Sequence, residues 1–267
     1  MLCARRSAHP WGPEFRGAIW YRRNDGAHYV YADGLGEGRG LAYGGGWAAS
    51  PDGMWMATVS FHQVWVGRVD GQVQYKLGGD ASEGPCPADP RWSPDGRWLA
   101  FWEEPLPAMY VCAGDCTGLG HLAAGSPGEY PTWAPDGRLV YVVGDQLFVV
   151  NQDGTGLGPI TQPSGPSASY PCVSPDGTQI ACVVYPSRLC LVGFDGSNRR
   201  TLQPDDRVLG APAWSPDGTQ LAYIRRLTYT LCQLVVVNAD GSDASVLVHD
   251  RDLEGVCWVA PAASPAP

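Results

Sequence analysis

One short motif returns five times along the chain. The clearest copy is Trp92-Ser93-Pro94-Asp95-Gly96, followed by the apolar run Trp98–Trp102. It recurs at Trp133-Ala134-Pro135-Asp136-Gly137, Val173-Ser174-Pro175-Asp176-Gly177 and Trp214-Ser215-Pro216-Asp217-Gly218, with an earlier copy at Ala49-Ser50-Pro51-Asp52-Gly53. The motif aspartates therefore stand 40 to 43 residues apart. A fixed period of this length restricts the chain to an array of like units, each too small to bury its apolar face alone.

The motif has the chemistry of a hairpin turn. Proline presets φ at the first corner, aspartate bonds the backbone two residues on, and glycine takes the left-handed conformation that turns the chain back. The residues before it read as one strand. The apolar runs after it (Trp98–Trp102, Leu139–Val143, Ile180–Val184, Leu221–Ile224) read as a second. Third strands are expected at Gln146–Asn151, Arg188–Gly193 and Gln233–Asn238, each ahead of an Asp-Gly turn, and short fourth strands at Arg200–Gln203 and Ser245–His249. Four antiparallel strands in roughly 40 residues make the blade of a β-propeller. The fold class is thus all-β: a six-bladed β-propeller with four antiparallel strands per blade. Its last blade is expected to combine a C-terminal strand, Val256–Ala260, with N-terminal strands at Ala18–Tyr21, His28–Ala32 and Arg39–Tyr43. Residues 1–16 are read as an N-terminal extension and 17–267 as one propeller domain.

Charge narrows the partners. With 27 acidic and 18 basic residues the net charge is −9, which repels phosphate backbones and argues against nucleic acid or an anionic membrane surface. No apolar run reaches the roughly 18 residues of a membrane helix. Met1–Arg16 lacks the apolar core of a signal peptide, so the chain is expected either to stay in the cell or to have its true start upstream.

The Trp-Ser-Pro-Asp-Gly-x-x-(Leu/Ile)-Ala-(Tyr/Phe) pattern, with its downstream Asp-Gly turn, resembles the WD-repeat-like PD40 repeat of TolB-like propellers. The resemblance covers about residues 17–260. It implies a non-catalytic scaffold that binds a protein or peptide through its loop rim and central funnel, in the periplasm or secreted; a monomer without a cofactor is expected. The same repeat occurs in propellers joined to prolyl-oligopeptidase-type peptidases and in sensors. A propeller piece of such a protein therefore stays open as a second reading. Two departures bear on this. The separate α/β domain that precedes the propeller in TolB-like proteins has no counterpart in Met1–Arg16, and no hydrolase domain accompanies the repeats.

Catalytic signatures are weak. No Gly-x-Ser-x-Gly elbow occurs, and the five histidines are scattered over different repeats. A propeller enzyme of hydrolase or lactonase type would need inward carboxylates or histidines on the first strands; these instead read Arg-Trp-Ser, Thr-Trp-Ala, Cys-Val-Ser, Ala-Trp-Ser and Cys-Trp-Val. The run Gly34–Gly40 fits a turn between third and fourth strands better than a phosphate loop, because no helix follows it. The motif aspartates could bind calcium, but the turn explains them without a metal, and no metal site is expected. The repeat tryptophans read as wedges between blades.

Nine cysteines include no Cys-x-x-Cys pair. The expected disulfides are Cys112 with Cys116 and Cys232 with Cys257, the latter on one rim of adjacent blades. A metal held by Cys112, Cys116 and His121 is the alternative for the first pair. Cys182 and Cys190 read as buried thiols inside strands.

The candidate binding site follows from the blade topology. Residues just before each first strand should stand at the funnel mouth: Asp89 and Arg91, Glu129 and Tyr130, Tyr170, and Glu254 with Gly255. Turns between second and third strands should add Trp102, Glu103, Arg188 and Tyr229 on the same rim. Tyr130 and Tyr170, at equivalent places in adjacent repeats, would form an aromatic wall suited to a peptide or basic loop. The competing reading packs both rings on their prolines as loop staples.

Overall fold

The structure is a computed structural model, and it describes residues 18–23, 26–31, 37–39, 45–60, 63–68, 74–77, 86–104, 108–114, 120–121, 128–162, 165, 167–203 and 205–259. The described residues hold 24 strands and no helix. Three strands come first: β1 (Ala18–Arg23), β2 (Gly26–Tyr31) and β3 (Glu37–Arg39). Then come β4 to β7 (Gly45–Ala49, Trp55–Ser60, Gln63–Arg68, Gln74–Leu77) and β8 to β11 (Cys86–Trp92, Trp98–Glu104, Ala108–Ala113, Gly120–His121). After these run β12 to β15 (Glu129–Trp133, Leu139–Val143, Gln146–Val150, Gly158–Pro159) and β16 to β19 (Ala168–Val173, Gln179–Val184, Arg188–Gly193, Arg200–Gln203). The last are β20 to β23 (Val208–Trp214, Gln220–Thr228, Leu231–Asn238, Ser245–Asp250) and β24 (Glu254–Val259).

Five blades of four consecutive strands result, β4–β7 through β20–β23, each an antiparallel sheet paired in chain order. These five are the complete blades in the sense of the repeat, and each contains one Pro-Asp-Gly turn. The expected picture of six such blades is corrected here. The remaining four strands form a sheet in the order β24-β1-β2-β3, which has no such turn because its first two strands come from distant parts of the chain. Its strands also differ from expectation. β24 spans Glu254–Val259 rather than Val256–Ala260, and β3 is Glu37–Arg39 rather than Arg39–Tyr43. Glu37–Arg39 lies inside the glycine run that reads as a turn. An outer strand needs only a few backbone partners, and three suffice here, Val30, Tyr29 and His28. Residues 1–16 lie outside the described residues.

The motif turns obey their chemistry. Gly53, Gly96, Gly137, Gly177 and Gly218 all have φ between 67° and 87°. In each turn the glycine N–H donates to the carbonyl three residues back, as Gly218 does to Ser215 at 2.9 Å. The aspartate carboxylate accepts the backbone N–H two residues on, as Asp217 does from Thr219 at 3.0 Å. The serine adds a further bond: Ser215 Oγ donates to Asp217 at 2.7 Å and accepts the Gln220 N–H at 2.9 Å. Where Ala134 replaces that serine, Arg138 supplies the missing donor, with its Nη2 2.7 Å from Asp136.

The core lies between blades. Ala181, Leu189 and Leu191 of one blade pack on Trp214, Leu221, Tyr223 and Val235 of the next. Each wedge indole is also hydrogen-bonded to the preceding blade. Trp92 Nε1 donates to the Ala48 carbonyl (3.2 Å), Trp133 to Arg91 (3.0 Å) and Trp214 to Cys172 (2.9 Å). A buried indole thus satisfies its one donor on a carbonyl at the inner edge of a neighbouring first strand, where no further strand competes for it.

Candidate functional site: the funnel mouth and central channel

The first strands surround a central cavity of about 430 Å³. Which side chains reach it follows from counting back from each motif aspartate. Four positions back stand Ala48, Arg91, Thr132, Cys172 and Ala213, and all five line the cavity; Cys257 does so for β24. At its far end the motif prolines Pro51, Pro94, Pro135, Pro175 and Pro216 close in. Arg91 is the one charged residue in this lining, and no carboxylate or histidine is among the lining residues described.

Six positions back from each aspartate stand Gly46, Asp89, Tyr130, Tyr170 and Ala211. Here the first strands bulge, and the pairing register shifts between Ala88 and Arg91, Glu129 and Thr132, and Ser169 and Cys172. Within the bulge Asp89, Tyr130 and Tyr170 take φ of 46°, 55° and 52°. The corresponding bulges in β20 and β24 use Gly210 and Gly255 instead, at 67° and 60°. A bulky side chain in the left-handed region is strained by about 1–3 kcal/mol. The glycines show that the bulge itself needs no side chain.

The bulge residues frame a second cavity of about 240 Å³, lined by Asp89, Arg91, Tyr170 and Glu254 together with Gly46, Trp47 and Gly210. Arg91 lines both cavities and so stands where mouth and channel meet. Asp89 is oriented by the Trp102 indole, 3.3 Å from its Oδ2. The Tyr130 and Tyr170 rings are 4.2 Å apart, tilted by 46°, and Trp102 meets Tyr130 edge-on at 5.8 Å. Burial, reinforced by the Tyr170 hydroxyl, pushes the Tyr130 phenol well above the usual tyrosine range. Tyr130 therefore stays neutral. Burial likewise pushes the Cys172 and Cys257 thiols up, Arg91 opposing it only in part.

Asp89, Arg91, Tyr170 and Glu254 thus meet at one cavity, with Tyr130 and Trp102 joined through ring contacts. Tyr130 and Tyr170 are both half-buried, Tyr130 packing against the cores on either side of it. Glu129 sits half-buried beside Tyr130. Arg188 and Tyr229 do not line this cavity. Arg188 begins β18 and reaches the Asp206 carbonyl at 3.5 Å, while Tyr229 is fully exposed at the β21–β22 tip. Both hairpins lie farther out along their blades than the first strands.

The expected Cys232–Cys257 bridge is not formed, and both thiols are free. Cys232 points into the core with Ile19, Ile224 and Leu234, whereas Cys257 faces the channel. Cys112 is fully buried beside Leu99 and Phe101, and its expected partner Cys116 lies outside the described residues. Cys182 and Cys190 are buried thiols opposite one another on β17 and β18. Trp47, which lines the mouth, has no place in the sequence-based site. Its position, five before Asp52, matches Pro90, Pro131 and Pro171 in the other repeats and could have revealed it.

Geometry of this kind defines a propeller with a funnel: bulged first strands make the mouth and an apolar channel lies below it. Comparison with solved structures agrees on the fold. TolB from Acinetobacter baumannii superposes with a TM-score of 0.76 over 93% of this chain and 68% of its own, at 19% identity. A putative TolB from Agrobacterium tumefaciens gives 0.69 over 91% and 92%, at 18% identity. A chain of a nidogen/laminin complex gives 0.73 over 91% and 98%, at 12% identity. No protein-family model and no curated protein matches the chain. The fold is therefore that of a β-propeller, similar to those of TolB and of the nidogen/laminin chain.

Proposed function

We propose that the chain is a non-catalytic binding propeller that takes a protein or peptide partner at the funnel mouth, outside the cytoplasm. The carrying observation is the trio Asp89, Tyr130 and Tyr170, held left-handed where glycine serves the same bulge elsewhere. Strain kept at one place is consistent with selection for the side chain rather than for the fold. Two tyrosines beside a tryptophan offer large contact area at low entropic cost, and Asp89 and Glu254 supply charge for a basic group. The absence of any carboxylate or histidine from the channel lining favours binding over hydrolysis among the described residues.

The test is selection of a random peptide library on the protein, repeated with a Tyr130→Asn/Tyr170→Asn variant. Asparagine tolerates the left-handed conformation, so the bulge should survive. A shared motif enriched by the wild type and lost with the variant is expected. No enrichment, or enrichment indifferent to the variant, overturns the reading. Fractionation of the source cells should place the protein in the periplasmic or secreted fraction; a cytoplasmic location overturns that part.

A further inference from the structure

We infer that Arg91 anchors a small-ligand site inside the channel, one that takes a single carboxylate on an apolar body. The inference concerns the channel below the mouth and needs no macromolecular partner.

A guanidinium carries five N–H donors in a planar fork and stays charged at any ordinary pH. Among the described residues, the one acceptor Arg91 reaches is the carbonyl of its own neighbour Pro90, 3.3 Å from Nη1. Among the described residues no salt bridge to Arg91 is found, and the Asp89 carboxylate beside it takes the Trp102 indole N–H instead. Compare Arg225, whose guanidinium meets both the Asp206 carboxylate and the Gln233 amide. Arg91 instead faces a cavity walled largely by prolines, tryptophans and valines. A half-buried cation without a counter-charge in apolar surroundings is costly, and a carboxylate that binds it bidentately recovers the missing hydrogen bonds.

The remaining lining limits the ligand. A cavity of about 430 Å³ is in the range that holds a small organic molecule. The Thr132 hydroxyl and the Cys172 and Cys257 thiols are neutral, so they add adaptable hydrogen bonding without charge. One cation matches one anionic group. Asp89 and Glu254 at the mouth, on a protein of net charge −9, disfavour entry of polyanions such as nucleotides. An arylalkyl or aliphatic monocarboxylate fits these constraints. The same chemistry could come from a free acid or from the C-terminal carboxylate of a peptide with an apolar last residue.

The probe is 4-phenylbutyrate, with the isosteric alcohol 4-phenylbutan-1-ol as control. Trp92, Trp133, Trp214 and Trp258 line the channel, so intrinsic fluorescence reads occupancy directly. Saturable binding of the acid at least tenfold tighter than of the alcohol is expected, and Arg91→Met should abolish that preference. Since among the described residues the Arg91 side chain bonds just the neighbouring Pro90 carbonyl, the variant should keep its melting temperature. A second arm compares Gly-Gly-Phe with a free and an amidated C-terminus. Tighter binding of the free peptide than of phenylbutyrate assigns the site to a chain terminus, and the reverse assigns it to a free acid. Equal binding of acid and alcohol, a preference that survives in Arg91→Met, or no saturable signal from either carboxylate overturns the inference. Comparison of acid with alcohol on the wild type decides the matter even if the variant fails to fold.

Discussion

At the scale of single residues, the motif turn depends on glycine for its conformation and on aspartate for its hydrogen bonds. Gly137 and Gly218 have φ of 87° and 71°, and an added Cβ would meet nothing closer than 3.6 Å at Gly218 and nothing within 4 Å at Gly137. Valine at either position should therefore cost about 1–3 kcal/mol through backbone strain alone, read as a lower urea midpoint. Gly196 is different, since a Cβ there would fall 2.1 Å from the Ile160 carbonyl oxygen. Even Gly196→Ala should exceed Gly137→Val in its effect. The aspartates carry a pH prediction. Hydrogen bonds from Ser93, Ser174 and Ser215 hold Asp95, Asp176 and Asp217 below the usual carboxylate range, and Arg138 does the same for Asp136. A folded-state pKa below the unfolded one adds stability above the unfolded value, and that stability is lost as pH falls through the folded one. The melting temperature should be flat near neutrality and decline as pH falls below about 5, where free aspartate begins to protonate. An unchanged melting temperature from pH 6 to pH 3 would contradict this. The four groups are largely exposed, so each contributes little and only the sum is expected to be visible.

Within one blade, the sheet β20–β23 is tied by a polar chain as well as by its ladders. The Asp206 carboxylate accepts from the Tyr223 hydroxyl and from Arg225 Nη1 at 3.0 Å. Arg225 Nε donates to Gln233 Oε1 at 2.7 Å, and Gln233 Nε2 meets His249 Nδ1 at 2.8 Å. The path crosses from the loop before β20 through β21 and β22 to β23. Burial, with the Asp206 carboxylate beside it, pushes the Tyr223 phenol far above its ordinary range, so it donates throughout the physiological range. Asp206→Ala strands a buried hydroxyl and a guanidinium that is 25% exposed. Denaturant titration should show a loss of about 1–3 kcal/mol, and Asp206→Asn, which keeps an acceptor, should lose less. Equal losses would show that the loop conformation matters rather than the network.

For the whole molecule, the inter-blade wedges are the elements that turn separate sheets into a ring. Trp214 is 6% exposed, packs against Leu189 and Leu191 of the preceding blade, and donates to its Cys172 carbonyl. Trp214→Ala should cost about 3–5 kcal/mol. Trp214→Phe keeps most of the packing and forfeits the hydrogen bond, so about 1 kcal/mol is expected. The blades are held by neighbour contacts rather than by one central core, so the alanine variant should also broaden the unfolding transition. A sharp, unshifted calorimetric transition would show that the wedge is dispensable.

The repeat spacing, the turn chemistry and the alternation of apolar runs determined by themselves that this chain is a propeller, because those features act within about ten residues of each motif. Asp89, Tyr130 and Tyr170 share one offset, six residues before each motif aspartate, and all three stand in first-strand bulges, because a position counted back from a repeated turn keeps its place in its strand. Tertiary structure decided what local pattern cannot carry. Arg188 and Tyr229 share the expected hairpins, yet the radial distance of a hairpin from the axis depends on how each blade twists outward. Cys232 stands on the third strand β22 and faces the inter-blade core, whereas Cys257 stands on the first strand β24 and faces the channel. Arg91, expected from the sequence at the funnel mouth, also lines the channel. Only the gathering of the first strands round one axis puts its charge in a cavity where the equivalent positions offer alanine, threonine and cysteine.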